Sequence, residues 1–433
     1  MLGCPAASVD EPSGGTTGMS GTDGMTAEGP FALEFEEVEI DGGWMFATEF
    51  RFVPGTAEPQ ELLLLGLGGD VGHFALVGDT LQRLGEFTVP GVHQELDCGL
   101  LTLAFDPGFE ENGYIYVAHC TSTEFGSITR LRFDPESYSG IPATAATILE
   151  VGDETTTAPW HNLGAMGFDG AGFLWALVGD KRVKTNGQEL ENDLGALIRI
   201  DPNREPQGSG YTPAPDNPFA LDDDPETSPD IYAYGLRSPW RGLLDSHGRY
   251  WIGDVGDMTY EEINVVTEPG QNFGWSLSEG PCQGEDDVCQ GQTDPLVHWD
   301  HDGVIHPYML DDDEVVPTPR RVAWVGAEYS GASTDRYKGH LDGKILFGDY
   351  CLGYVRALEV DDDLTIISDE HLGHQPHTVA WNIGADGYLY AASFGRCTTQ
   401  GVDPDNLPAS RLYRVKGVGG DGDDNDGGDN VSP

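Results

Sequence analysis

The sequence is short of positive charge and of long apolar runs. Lys and Arg number 22 against 74 Asp and Glu, and only five of the 22 are Lys. The formal net charge is -52. So acidic a surface repels phosphate backbones and anionic headgroups, which argues against nucleic acid or a bare lipid surface as partner. No stretch approaches the roughly 18 apolar residues of a membrane-spanning helix. No Cys-x-x-Cys or His-x-x-x-His spacing occurs, so zinc is not indicated. Long amphipathic helical patterns are missing as well. Aromatic residues nevertheless make up 10% of the chain, which excludes a wholly disordered protein.

The ends differ from the body. Residues 1–30 are rich in Gly, Ser, Thr and Pro, carry no basic residue and read as a flexible tether. Met1-Leu2-Gly3-Cys4 resembles the end of a bacterial lipoprotein signal, with a small residue before a lipidated Cys, although the charged and apolar regions of such a signal are not present. A lipid on Cys4 is the one membrane attachment the sequence suggests. Residues 417–433 mix Gly with Asp and Asn. They lack the glycine and distal glutamate of an EF-hand loop and read as a solvated acidic tail. Most of the negative charge belongs to the body, 31–416, and reads as a general surface property suited to solubility or saline surroundings.

Within that body, short β-rich runs alternate with turns, which predicts an all-β fold. A degenerate unit recurs. Phe168-Asp169-Gly170-Ala171-Gly172 leads into Phe173-Leu174-Trp175-Ala176-Leu177-Val178. Leu244-Asp245-Ser246-His247-Gly248 leads into Arg249-Tyr250-Trp251-Ile252, and Ile383-Gly384-Ala385-Asp386-Gly387 into Tyr388-Leu389-Tyr390-Ala391. Phe105-Asp106-Pro107 through Asn112-Gly113 leads into Tyr114-Ile115-Tyr116-Val117. A strand, an Asp/Gly turn and an aromatic-rich strand form the hairpin that a β-propeller blade repeats. Residues 31–416 divide into six blades of about 64 residues, stacked as one domain. The Trp and Tyr residues of the units are expected in the blade core.

Seven Cys occupy positions 4, 98, 120, 282, 289, 351 and 397. With Cys4 set aside, the six others suit an oxidising compartment and allow fifteen connectivities. Cys282 and Cys289 flank a short loop and are expected to pair. Cys98 and Cys120 bracket a hairpin, and antiparallel registry places them opposite each other. Elimination leaves Cys351 with Cys397. Two histidine groups, His298/His301/His306 and His371/His374/His377, share no face fixed by their spacing and read as scattered loop residues. Asp311–Asp313 and Asp361–Asp363 read as solvated turns.

Nine segments taken in order resemble the glucose/sorbosone dehydrogenase family, which includes soluble quinoprotein sugar dehydrogenases and Hedgehog-interacting-protein-like propellers. They include Ala104-Phe105-Asp106-Pro107, His161-Asn162 through Gly179-Asp180, Leu197-Ile198-Arg199-Ile200-Asp201-Pro202 and Asp216-Asn217-Pro218-Phe219. Tyr234-Gly235-Leu236-Arg237-Ser238-Pro239-Trp240-Arg241, Gly253-Asp254-Val255-Gly256, Glu261-Glu262-Ile263-Asn264, Asn272-Phe273-Gly274-Trp275 and Leu346-Phe347-Gly348-Asp349-Tyr350-Cys351 follow. The resemblance spans roughly residues 95–400. It implies a six-bladed β-propeller in which pyrroloquinoline quinone (PQQ) and a calcium ion sit over the channel, and a sugar C1 hydroxyl is oxidised by hydride transfer to the quinone.

Carried over by position, His161 falls where the family places its general base, a role suited to neutral imidazole. Arg237 falls where a cofactor-binding Arg is found. The backbone carbonyls of Gly256 and Asp257 fall where Ca2+ is held. Five other positions depart from the family. Asp97 stands in place of a Gln and Ser238 in place of an Asn. Ser330 lies near the place of a Lys, and His377 and Val379 lie where two Arg are found. The expected protein is an exported sugar dehydrogenase-like propeller, in the periplasm, on the outer membrane as a lipoprotein, or outside the cell. Its partners would be a sugar and an electron acceptor. The lost cationic positions favour an alternative, a non-catalytic cell-surface binding propeller.

Overall fold

The computed structural model describes residues 30–156, 158–206, 208–222, 224–282, 289–301, 321–330, 334–395 and 409–419. Six strands follow the same course: β2 (Ala47–Phe52), β6 (Leu100–Phe105), β10 (Leu163–Phe168), β15 (Pro239–Leu244), β19 (Ala323–Glu328) and β23 (Thr378–Ile383). Each neighbours the next, and β23 returns to β2, so they close a ring around one axis. From each inner strand a meander runs outward. β3 (Gln60–Gly66), β4 (Asp70–Val77) and β5 (Thr80–Thr88) complete blade 1. β7 (Tyr114–Cys120), β8 (Phe125–Arg132) and β9 (Ala146–Gly152) complete blade 2. β11 (Leu174–Val178), β12 (Ala196–Pro202) and β13 (Tyr211–Pro213), with β14 (Ile231–Tyr234) also on β12, complete blade 3. β16 (Tyr250–Asp254), β17 (Tyr260–Val266) and β18 (Val297–Asp300) complete blade 4, and β20 (Ile345–Asp349), β21 (Tyr354–Val360) and β22 (Ile366–His374) blade 5.

Blade 6 is built from both ends of the chain. β24 (Leu389–Ser393) and β25 (Arg411–Val418) follow β23, and the outermost strand is β1 (Ala32–Ile40), antiparallel to β25 from Ala32↔Val418 to Val38↔Leu412. β1 also meets β5 in parallel at Glu39↔Thr80 and Ile40↔Leu81, which fuses blades 6 and 1 into one eight-stranded sheet. The fold is thus the six-bladed all-β propeller expected. The sole α-helix among the described residues is the short Phe109–Asn112, and none is long and apolar enough to cross a membrane.

The recurring turn has a clear physical basis. One carboxylate oxygen of the turn Asp accepts backbone amides: Asp245 Oδ1 from His247 (2.9 Å) and Arg249 (2.8 Å), Asp169 Oδ1 from Ala171 and Phe173 (both 2.9 Å). The other oxygen holds a side chain of the blade core. Asp245 Oδ2 accepts Trp251 Nε1–H at 2.8 Å and Asp386 Oδ2 the Tyr390 hydroxyl at 2.7 Å. The aromatic strand that follows each turn is buried, with Tyr116, Trp251 and Tyr390 all at 0% exposure. A turn Asp therefore supplies both the chain reversal and a polar partner for a buried aromatic. The apolar clusters straddle neighbouring blades: Trp251 of blade 4 packs with Phe347 of blade 5, and Tyr116 of blade 2 with Ile198 of blade 3. No blade encloses its own core, which makes the ring one unit.

Candidate functional site

All inner strands begin at one face of the ring, the mouth. The loops that end the second strands open there too. Each inner strand has a register shift: those in β2, β6, β10, β15 and β23 lie at its entry. Left-handed backbone precedes several of them, with Phe46 (φ 57°), Leu96 (φ 53°), His161 (φ 55°) and His377 (φ 64°). Two more, Lys181 (φ 54°) and Arg182 (φ 61°), lie in the loop after β11. Such conformations cost of order 1–2 kcal/mol each for residues with a Cβ. Six of them in one face mark it as a place where packing holds side chains in set directions.

His161 sits between the turn before β10 and the loop after β11. Its Nδ1 lies 2.6 Å from Asp180 Oδ1, and no described residue bonds to Nε2. Asp180 is 1% exposed. It accepts Arg182 N–H through Oδ1 (2.7 Å) and Trp275 Nε1–H through Oδ2 (2.8 Å). A carboxylate held on three sides fixes Nδ1 as the protonated nitrogen and leaves Nε2 with its lone pair facing outward. Burial lowers the His161 pKa below its usual value, against the pull of Asp180, and Arg237 and Arg182 add to the lowering. Gly179 is required here: a Cβ would stand 2.4 Å from the His161 carbonyl oxygen.

Arg237 stands on the other side of Trp275, its guanidinium carbon 5.5 Å from the indole centre. Its Nη1 donates to the Val255 carbonyl (2.8 Å) and its Nη2 to Asp257 Oδ1 (3.0 Å). Its backbone amide donates to Asp254 Oδ2 (2.9 Å), and its carbonyl accepts Asp180 N–H (2.8 Å). The structure therefore brings His161 and Arg237 together through Asp180 and Trp275. Asp257 also binds Lys184 Nζ at 2.6 Å. Burial alone would raise its carboxyl; Lys184 and Arg237 outweigh that and hold it below its usual value.

Gly256 and Asp257 lie in the loop after β16. The amides of Asp257, Met258, Thr259 and Tyr260 all donate to Glu279 Oε1, at 2.8, 3.0, 2.9 and 3.2 Å, and Gly256 N–H donates to Glu261 Oε1 at 3.2 Å. A Cβ at Gly256 would collide with the Tyr260 carbonyl. No hydrogen bond from a described residue reaches the Gly256 or Asp257 carbonyl. No group of three or more His, Cys, Asp or Glu arranged for a metal occurs among the described residues. A cation in this loop would rest on carbonyl oxygens, donors that suit Ca2+.

Asp97, Ser238, His377 and Val379, four of the five positions that depart from the family, lie at the mouth, whereas Ser330, past the exit of β19, lies at the opposite face and not where a cofactor over the mouth would be met. Asp97 is exposed; burial, and then its charge, push the Tyr350 hydroxyl up. The Tyr350 ring lies 5.3 Å from His377 and 5.6 Å from Trp240. Val379 is buried. Ser238 follows Arg237, and its amide donates to Asp254 Oδ1. Ser330 is half-buried beyond β19. Of the histidine groups, His301 Nε2 bonds Glu261 Oε1 (2.7 Å), His374 Nε2 bonds the Leu352 carbonyl (2.7 Å), and His298 packs on Tyr260. Each has its own partner, and they do not assemble; His306 lies outside the described residues. Asp361 caps its turn through the amides of Asp363 and Thr365. Asp311–Asp313 lie outside the described residues.

Sequence reasoning did not assign Asp180, Trp275, Lys184, Glu261 or Glu279. Asp180 and Trp275 end quoted segments, but nothing in their spacing says that they meet. Lys181 was also missed. It is 2% exposed, donates to Asn162 Oδ1 at 2.6 Å, and burial pushes its ammonium down to about 8. Cys98–Cys120 and Cys282–Cys289 are bonded as expected. Cys351 is disulfide-bonded; Cys397, its expected partner, lies outside the described residues, as does Cys4.

Comparison with known proteins agrees with this architecture. The family model "Glucose / Sorbosone dehydrogenase" matches residues 58–393. Aldose sugar dehydrogenase YliI of Escherichia coli K12 is 22% identical over 373 residues, 83% of this chain and 88% of the relative. The HIPL1 protein of Arabidopsis thaliana is 26% identical over 241 residues, 44% of this chain and about a third (34%) of the relative. Mouse Hedgehog-interacting protein is 29% identical over 34% of this chain and 23% of its own. The PQQ-bound aldose sugar dehydrogenase of Streptomyces coelicolor superposes with a TM-score of 0.65 at 17% identity, covering 90% of this chain and 98% of that one. On the matched span and the closed ring of blades, the chain belongs to the glucose/sorbosone dehydrogenase family.

Proposed function

We propose that this protein oxidises an aldose or related sugar at C1, with His161 as general base and PQQ as oxidant. The observation that carries the reading is the His161–Asp180–Trp275–Arg237 chain at the mouth. Asp180 holds Nδ1–H, so Nε2 is the atom that takes the proton from the C1 hydroxyl. The lowered His161 pKa keeps the ring neutral at pH 7. As the proton develops on His161, the Asp180 carboxylate stabilises the imidazolium. Arg237 and Lys184 offer donors to cofactor carboxylates, and the Gly256 and Asp257 carbonyls would hold Ca2+. When bound, PQQ would supply the hydride acceptor and Ca2+ a Lewis acid beside it. Loss of one hydride and one proton leaves C1 at the carboxyl oxidation level, the two electrons passing finally to an external acceptor. Trp160, with Arg182 stacked at 4.9 Å, gives an apolar face beside His161 on which a sugar ring can lie.

A second reading is a binding propeller without catalysis. Asp257 already engages both Arg237 and Lys184, and Asp97 adds negative charge at the mouth, so a tricarboxylate meets competition there. The disulfides support export into an oxidising compartment, and a lipid on Cys4 would anchor the chain. One experiment separates the two readings. The purified protein is titrated with PQQ in Ca2+ by fluorescence, then assayed for dye reduction with a panel of aldoses. Micromolar binding with turnover supports the enzyme; no binding at that concentration overturns it in favour of the binding propeller.

A further inference from the structure

Below the mouth, the axis of the ring holds a cavity of about 20 Å³, room for one or a few water-sized particles. Its lining comes from five inner strands and includes Glu49, Arg51, Arg241, Trp324, Gly326 and Trp381. Glu49 and Arg241 are the third residues of β2 and β15, roughly 7 Å along the strands from their entry. Thr378 and Val379 at the entry of β23 form its upper rim, so the cavity lies directly below the mouth.

The donors and acceptors around it do not balance. Glu49 Oε1 accepts Phe50 N–H (3.0 Å), and Oε2 accepts from Thr102 (3.3 Å), Arg51 (3.3 Å) and Arg241 (3.4 Å). Four donors fill the ordinary capacity of a carboxylate. Arg241 also donates to the Thr48 carbonyl. The lining groups left without a partner are all donors: Arg51 Nε, Arg241 Nε, Trp324 Nε1 and Trp381 Nε1 are buried without an acceptor among the described residues. Arg241, Trp324 and Trp381 are 7%, 2% and 5% exposed. A buried N–H group without an acceptor keeps its full desolvation cost. Gly326 lets the two indoles lie flush with the wall, since a Cβ there would stand 2.6 Å from Trp381 Cδ1 and 2.9 Å from Trp324 Cζ3.

Two guanidiniums against one carboxylate leave a local charge of +1 inside a chain whose net charge is -52. Glu49 and Arg51 are the charged groups that act on Arg241. A water molecule would accept from these donors but must also place its own protons, and the one acidic side chain already accepts from four donors. A monatomic anion accepts from every side and donates nothing. Carboxylates and phosphates are too large for the space. We propose that the axial cavity is a halide site, filled by chloride, seated on Arg241 and Arg51 with the Trp381 N–H group completing the shell.

The test uses the full chain and no cofactor. Crystals grown in bromide should give an anomalous peak at hydrogen-bonding distance from Arg241 Nε. In solution, the melting temperature should rise by several degrees over a hundredfold range of chloride, relative to gluconate at matched ionic strength. Trp381→Phe keeps the ring, removes one N–H, and should weaken the chloride dependence roughly tenfold. Equal melting in both salts, with no anomalous peak, overturns the proposal, because it leaves water as the occupant.

Discussion

Blades 3 and 4 bring Lys181, Arg182, Lys184 and Arg237 to the mouth, whereas blades 2, 5 and 6 bring Asp97, Tyr350, His377 and Val379. On the first side the charges are interlocked: Asp180 orients His161, and Asp257 ties Arg237 to Lys184. On the second side Arg321, just before β19, is buried within reach of the Asp349 charge. On the proposed reading, a base held by its orienting carboxylate stands beside an anion clamp that is one-sided, so proton transfer and cofactor capture can be tested separately.

Removing the base breaks the comparison most completely. His161→Ala should lower turnover by about 10²–10⁴-fold while PQQ affinity changes little, as read by dye reduction and fluorescence titration. An unchanged rate would rule out His161 as the base. Asp180→Asn should cost about 10²-fold or more in kcat, because an amide can hold the other imidazole tautomer. The pH profile gives a further check. His161 works as the neutral form, so kcat/KM should stay level above pH 6.5 and fall as pH drops through its lowered pKa. An acid limb at or above the ordinary histidine value would contradict the assigned environment.

A disulfide staples the cation-poor side. Cys98→Ser with Cys120→Ser should cost about 2–4 kcal/mol, measured by denaturant unfolding, since the bond closes a 22-residue separation beside Asp97. Repairing the clamp sharpens the comparison with a smaller effect. His377→Arg should tighten PQQ roughly tenfold, about 1.4 kcal/mol, and Asp97→Asn should add less. If neither changes affinity, the second side does not face the cofactor.

Four of the six blades were legible in the sequence because each of those carries a local signal. Asp245 and Trp251 sit in one hairpin, so turn and buried aromatic can be read within a dozen residues. The Cys98–Cys120 pair was readable for the same reason. What failed to show is long-range. Asp180 meets Trp275 across 95 residues, and Arg241 meets Glu49 across 192. Only closure of the ring makes those neighbours. The β1–β25 pairing was hidden too, since nothing local says that the first strand completes the last blade. The loop after β16 fell between these cases: Gly256 was singled out by resemblance, but the Glu279 carboxylate that gathers the loop's amides was not.

That same β1–β25 pairing decides from which face both chain ends leave. β23 runs from the mouth to the opposite face, so β25 also ends there, and β1, antiparallel to it, starts there. Chain preceding Ala32 and chain following Val418 both depart from the face opposite His161. An attachment at either end would therefore draw on the face opposite the mouth and leave the mouth itself clear for small solutes.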